Sequence, residues 1–182
     1  MRFLSILVSF CVFTFSCTSL NVVNRNPTTG YFKTPIFARI IQSEEINLDS
    51  LRGLVVVPKS PFSEGMARNI NYFEQVMTTE ELEQQIIALN LQNDIPTVDN
   101  LIGLSKAAQK YKPFLFLSVS GSKRDGKQFA QLKMMQAKSG KFLFTSEIEV
   151  DMVWNGVSDQ TVWYPLYNSL IDYLRAHSTS YK

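Results

Sequence analysis

Histidine and cysteine are nearly absent from this chain of 182 residues, which has one histidine and two cysteines. The single histidine, His177, lies near the carboxyl terminus, where we expect a tail residue without a role. One histidine supports neither a catalytic triad nor a histidine-rich metal centre. Gly-x-Ser-x-Gly, His-Glu-x-x-His and Walker-type motifs are also missing from the sequence. We therefore expect a protein that is not an enzyme and that holds no cofactor and no metal.

The sequence also lacks a large excess of positive or negative charge. The chain has 18 Lys and Arg residues against 16 Asp and Glu residues, a formal net charge of +2. A nucleic-acid-binding protein needs a basic stripe. The short clusters Lys123-Arg124 and Lys138/Lys141 flank predicted turns, so we interpret them as solvated turn charges. Nucleic acid is not an expected partner.

What the chain does have is an apolar amino-terminal segment. Arg2 is followed by an apolar run from Phe3 to Phe15, and then by Ser16-Cys17. This order is typical of a secretory signal peptide, and we expect residues 1–16 to be removed. An uncleaved anchor would need about twenty apolar residues, a length that the run reaches only by including polar residues after Cys17. The uncleaved anchor and a buried core helix are the two alternatives.

Cys17 would begin the mature chain. Cys11 leaves with the leader, so no intramolecular disulfide can form. The segment resembles bacterial lipoprotein signals, in which the cysteine after the cut carries acyl chains such as palmitate; Thr14 stands where those signals usually have leucine. The resemblance implies lipidation at Cys17. Because Thr18 is not the aspartate of retained lipoproteins, it also implies the periplasmic face of the outer membrane; a periplasmic protein or an inner-membrane anchor is the alternative.

The mature chain divides into two parts by composition. Residues 17–34 are rich in Asn, Thr and Pro, which is typical of a flexible membrane tether. Residues 35–182 are predicted to form one α/β domain, which is long enough to bury a core.

Apolar periodicity predicts the elements of this domain. Leu54-Val55-Val56-Val57 shows no polar alternation, as in an interior strand. Thr78-Thr79-Glu80-Glu81 fits a capping box at the start of a helix with Leu82, Ile86 and Leu89 inward. Helices are predicted over residues 63–73, 79–90 and 98–111 and from Pro165 onward. In the helix over residues 98–111, Leu101 is expected to face inward. Strands are predicted over residues 54–58, 73–77 and 114–119. The segment 36–41 is too short to assign.

The second half of the chain alternates with the period of a strand. Asp125-Gly126 and Ser139-Gly140 are turn signals, so the strands around them form a three-stranded antiparallel meander. The predicted fold class is therefore α/β (α+β), a mixed sheet with this meander in its carboxyl-terminal half and helices packed on it. In the last strand, alternation places Phe142, Phe144, Ile148 and Val150 towards the helices and Glu147 and Glu149 on a solvated face.

Three residues are candidates for a partner surface. Glu147 and Glu149 share the outer face of the last strand, where solvated edge charges are the simpler interpretation. Trp154 neighbours Asn155-Gly156 in an aromatic cluster, and tryptophan is enriched at contact surfaces. The other aromatic residues of that cluster, Trp163, Tyr164, Tyr167 and Tyr173, are expected to pack the closing helix on the sheet.

Two stretches carry a resemblance to a known fold. Residues 107–121, Ala-Ala-Gln-Lys-Tyr-Lys-Pro-Phe-Leu-Phe-Leu-Ser-Val-Ser-Gly, read as an alanine-containing helix and a strand that ends in glycine. Residues 131–141 read as a strand followed by Gln-Ala-Lys-Ser-Gly-Lys. Both resemble the exported α/β domain of penicillin-binding-protein activator lipoproteins, of the curli-secretion lipoprotein and of the TolB amino-terminal domain.

Three functions are compatible with these features. The first is a non-enzymatic exported lipoprotein that docks an envelope protein partner through its α/β domain. The second is a hydrolase or small-molecule binder of the cell envelope, which would need a deep pocket with convergent polar groups. The third is a subunit of a secretion or appendage assembly.

Overall fold

The computed structural model describes residues 25–150 and 159–181 of the chain. Within these ranges lie six strands, four α-helices and a π-helical turn at Asp159–Trp163. The strands are β1 (Arg39–Ser43), β2 (Gly53–Val57), β3 (Gln75–Met77), β4 (Leu115–Arg124), β5 (Lys127–Gln136) and β6 (Lys141–Val150). The helices are α1 (Pro61–Asn69), α2 (Thr79–Ala88), α3 (Leu101–Lys110) and α4 (Tyr164–His177).

The described strands form one mixed sheet in the order β1-β6-β5-β4-β2-β3. Strand β2 runs parallel to β3 and to β4, and the other pairs are antiparallel. The predicted fold class is confirmed, and β4, β5 and β6 are the predicted meander. The β4–β5 turn has positive φ at Asp125 and Gly126, the geometry of a two-residue hairpin loop.

Both helices α2 and α3 begin at a side-chain cap. Thr78 Oγ1 accepts from the Glu81 N–H at 3.1 Å, and the Glu81 carboxylate accepts from the Thr78 N–H at 2.8 Å, so the predicted capping box is confirmed. Asn100 caps α3, which therefore begins at Leu101. The predicted inward positions of Leu89 and Leu101 are wrong, because both lie at helix ends and are about half exposed.

The two sides of the sheet are covered differently. Helices α1 and α4 pack on one side, where Leu54, Leu117 and Phe144 belong to the larger apolar core. Helices α2 and α3 pack on the other side, where Val55 and Phe116 belong to a second core. On this second side the meander half remains open, and Ser120, Arg39 and Glu149 are exposed there. We call this half the open face.

A β-bulge changes the alternation that we expected in β6. Met134 pairs with Phe144 and Met135 pairs with Phe142, which leaves Leu143 without a partner in β5. Leu143 joins the larger core and Phe142 is 37% exposed, so the predicted inward position of Phe142 is wrong. Phe144 and Ile148 are buried on the helix side as predicted.

The segment 25–34 is part of the domain. Phe32 is buried in the larger core, and Arg25 donates to the carbonyl of Asn69 at 2.5 Å. The composition of this segment predicted a tether, but that prediction is wrong from residue 25 onward, because Phe32 enters the core and hydrogen bonds fix the segment to α1 and α4. Residues 17–24 lie outside the described ranges.

Candidate docking surface

Four strands bring charged and amide side chains together on the open face. Alternation places Glu147 of β6 on this side of the sheet, directly across from Gln131 of β5 and Arg39 of β1. Arg124, at the end of β4, reaches the same carboxylate. We call Arg39, Arg124, Gln131, Glu147 and Glu149 the charged cluster.

Glu147 is the centre of the charged cluster. Its Oε1 atom lies 2.8 Å from Arg124 Nη2 and 2.9 Å from Arg39 Nη2, and its Oε2 atom accepts from Gln131 Nε2 at 3.0 Å. The Glu147 side chain is 3% exposed. The predicted solvated position of Glu147 is therefore wrong, because two long arginine side chains and an amide from neighbouring strands enclose it.

The environment of Glu147 keeps it ionised. Burial alone would raise the pKa of this carboxyl group, but hydrogen bonds from Arg124 and Gln131 and the charges of both arginines outweigh burial, so its pKa lies below the usual range. Because both carboxylate oxygens are occupied and the group binds protons weakly, Glu147 is a poor candidate for a general base.

Glu149 has a different environment two positions further along β6. Its side chain is 48% exposed and pairs with Lys127 at 2.9 Å. Arg124 lies over the Phe129 ring at 4.5 Å, so the same guanidinium contacts both an anion and an aromatic face. Of the two carboxylates predicted to be solvated, only Glu149 is exposed.

Exposed apolar residues lie just before and within β1, at the edge of the sheet. Phe37 is beside the charged cluster, whereas Ile40 pairs with Ser146 and lies on the α4 side. Phe37 is 93% exposed, Ile40 is 52% exposed and Ile41 is 46% exposed. A groove of about 620 Å³ runs between Phe37 and the charged cluster. Among the described strands, β1 is an edge strand paired only with β6. The sequence alone does not assign residues 36–41 to a strand or a helix. Their position at the edge of the sheet depends on pairing with β6, which is far away in the chain.

The other predicted site residues do not join this surface. Trp154 and Cys17 lie outside the described residues. Trp163 packs against Phe62 with ring centroids 5.5 Å apart, and Tyr173 stacks on Phe144, as expected for residues that fix α4 to the sheet.

The prediction that His177 is a tail residue without a role is wrong, because its side chain is held in place. Its side chain is 7% exposed, Nδ1 lies 2.8 Å from the carbonyl oxygen of Tyr173, and Nε2 lies 3.3 Å from the Glu45 carboxylate. The His177 carbonyl accepts from the Leu48 N–H, so the end of α4 is held against the loop before β2.

Two searches of the described residues bear on function. Nowhere in residues 25–150 and 159–181 do three or more His, Cys, Asp or Glu side chains form a group that could hold a metal ion. None of the helices in the same ranges has the length and apolar character needed to cross a bilayer.

Comparison with known proteins finds similarity at the level of structure. No protein-family model and no curated protein sequence matches the chain. The LpoB carboxyl-terminal domain from Salmonella enterica is similar over 59% of this chain and 87% of its own, with 16% identity and a TM-score of 0.36. PelC from Paraburkholderia phytofirmans, solved as a dodecamer, is similar over 74% of this chain and 97% of its own, with 12% identity and a TM-score of 0.36.

A third similar structure is the lipoprotein GNA1162 from Neisseria meningitidis. It covers 68% of this chain and 95% of its own, with 16% identity and a TM-score of 0.30. The penicillin-binding-protein activator lipoproteins that the sequence resembles are thus represented among similar structures. At these TM-scores the similarities carry no argument about what the chain does.

Proposed function

We propose that this chain is an exported, non-enzymatic bacterial lipoprotein that docks an envelope protein through its open face. Cys17 would carry the acyl chains at the periplasmic face of the outer membrane. The partner would contact Phe37 and the charged cluster, with Glu149 as the exposed carboxylate and Trp154 as a further contact.

The exposed edge at β1 carries the docking proposal. Phe37 is almost wholly exposed and lines a groove with Arg39 and Glu149, and large apolar groups exposed beside charges mark protein contact surfaces. The engaged carboxylate of Glu147 favours docking over hydrolysis, since it is held by both arginines.

Docking can be tested by capture of a partner from solubilised envelopes on the chain without its leader. Phe37→Asp should abolish capture, and because Phe37 is 93% exposed the variant should keep the wild-type melting temperature. Ile102→Asp is the matched control, since Ile102 is 72% exposed on α3 and should be neutral. Equal capture by both variants, or none above background with the wild type, would contradict the docking site.

Lipidation can be tested independently. A clickable fatty acid should label the wild-type chain, and Cys17→Ser should lose the label and accumulate as an unprocessed or soluble form. Equal labelling of the two chains would exclude Cys17 as the acylated residue.

A further inference from the structure

The segment 25–34 is fixed on the α1/α4 side of the domain at several points. Arg25 donates to the carbonyls of Asn69, at the end of α1, and of Gly30. The Phe32 N–H donates to Asn168 Oδ1 at 2.8 Å and the Asn168 amide donates back to the Phe32 carbonyl at 2.9 Å. We call this segment the latch.

The latch also depends on its own bend and on α4. Gly30 has φ of +74°, and a Cβ atom there would lie 2.8 Å from the Arg175 guanidinium and 2.9 Å from that of Arg25. Arg175 donates to the Thr29 carbonyl at 2.8 Å, and the Tyr31 hydroxyl donates to Asp172. The latch is therefore tied to α4 along most of its length.

We infer that the latch sets the orientation of the domain on a membrane, an inference that rests on the proposed acylation of Cys17. Arg25 is eight positions after Cys17, and eight residues span at most about 28 Å. A domain of this size is about 40 Å across. The connection is thus shorter than the domain and enters it on the α1/α4 side.

The open face lies on the opposite side of the sheet from the latch. Ser146 contacts Ser169 of α4 through a hydrogen bond at 2.9 Å, and alternation directs its neighbour Glu147 away from α4. The α1/α4 side consequently faces the bilayer, and the charged cluster faces the aqueous space. A partner therefore reaches the charged cluster from the aqueous side and not along the membrane surface.

Energy transfer to labelled lipid tests this orientation. The lipidated full chain would be reconstituted in phosphatidylethanolamine and phosphatidylglycerol vesicles with an acceptor dye on the headgroups. Thr28→Cys in the latch and Ser120→Cys on the open face provide single donor sites, because the mature chain has no other free cysteine once Cys17 is acylated. Both positions are exposed.

Transfer from residue 28 should be at least about twofold stronger than transfer from residue 120, given the size of the domain. Equal or reversed transfer in chains that float with the vesicles would overturn the orientation and leave the acylation intact. Chains that do not float with the vesicles would overturn both. Cys17→Ser, made without residues 1–16 on each background, is the control and should show no transfer.

Discussion

The two sides of the sheet bury residues in different ways, as Phe144 and Glu147 of β6 show. Phe144 is fully buried against Tyr173, with ring centroids 4.8 Å apart, in an apolar core beneath α4. Glu147 is equally buried on the open face, but its neighbours are guanidinium and amide groups. A strand that alternates between apolar and charged residues can therefore be buried on both sides when long cations from neighbouring strands cover the charge.

The largest expected effect is on the apolar side. Phe144→Ala should lower the free energy of unfolding by about 3–5 kcal/mol, because it leaves a cavity in the larger core. Phe142→Ala is the matched control and should cost less than about 1.5 kcal/mol, since the bulge leaves that ring 37% exposed. Urea denaturation measures both. Equal losses would show that the bulge is misplaced.

The next effect is on the open face. Glu147→Ala should cost about 2 kcal/mol, because Gln131 and two arginines lose a shared acceptor. The cost stays below that of Phe144→Ala because the Arg39 and Arg124 side chains are 68% and 49% exposed and regain water. Glu149→Ala should remain within about 0.5 kcal/mol. If both glutamate variants are neutral, the charged cluster does not stabilise the fold.

The charged cluster should also give a pH dependence. The pKa of Glu147 is lower in the folded chain than in the unfolded chain, so its contribution to stability is fully present above the unfolded pKa of about 4.3. That contribution is lost as the pH falls through the lower, folded pKa. Between pH 7 and pH 3 the wild type should lose more stability than Glu147→Gln.

The comparison with Glu147→Gln isolates the contribution of the Glu147 carboxylate to the pH dependence of stability. Asp49 also has a lowered pKa, caused by hydrogen bonds from Ser178 and Thr179, and it contributes equally to both chains. Parallel pH profiles for wild type and Glu147→Gln would contradict the role of the charged cluster in stability.

The smallest effect concerns the covered half of the second side, where α2 packs. Thr78→Ala removes the hydroxyl that accepts from the Glu81 N–H and should cost about 1 kcal/mol. Thr79→Ala, one position into the helix, should be nearly neutral. A denaturation midpoint that moves no further for Thr78→Ala than for Thr79→Ala would place the start of α2 elsewhere.

Local signals predicted much of the fold. The capping box at Thr78, the turn at Asp125-Gly126 and the proline at the start of the closing helix each depend on a few neighbouring residues. The sequence therefore predicted α2, the meander and α4, with errors in the inward positions at helix ends and at Phe142.

The remaining features depend on residues far apart in the chain. The burial of Glu147 requires Arg39 from β1 and Arg124 from the β4 end, and the sequence of β6 contains no sign of either. The latch depends on Phe32 meeting Tyr164 and Asn168 of α4. The bulge at Leu143 changes the face of Phe142 by one register step, which alternation alone cannot predict.

The order of the strands has a consequence for folding. Arg39 of the first strand pairs with Glu147 of the last, 108 positions (147 − 39) later. Closing so long a loop is entropically costly, and folding slows when native contacts join distant residues. During synthesis β1 has no strand to pair with until β6 has been made. The sheet is therefore completed late in synthesis, only once β6 has been made.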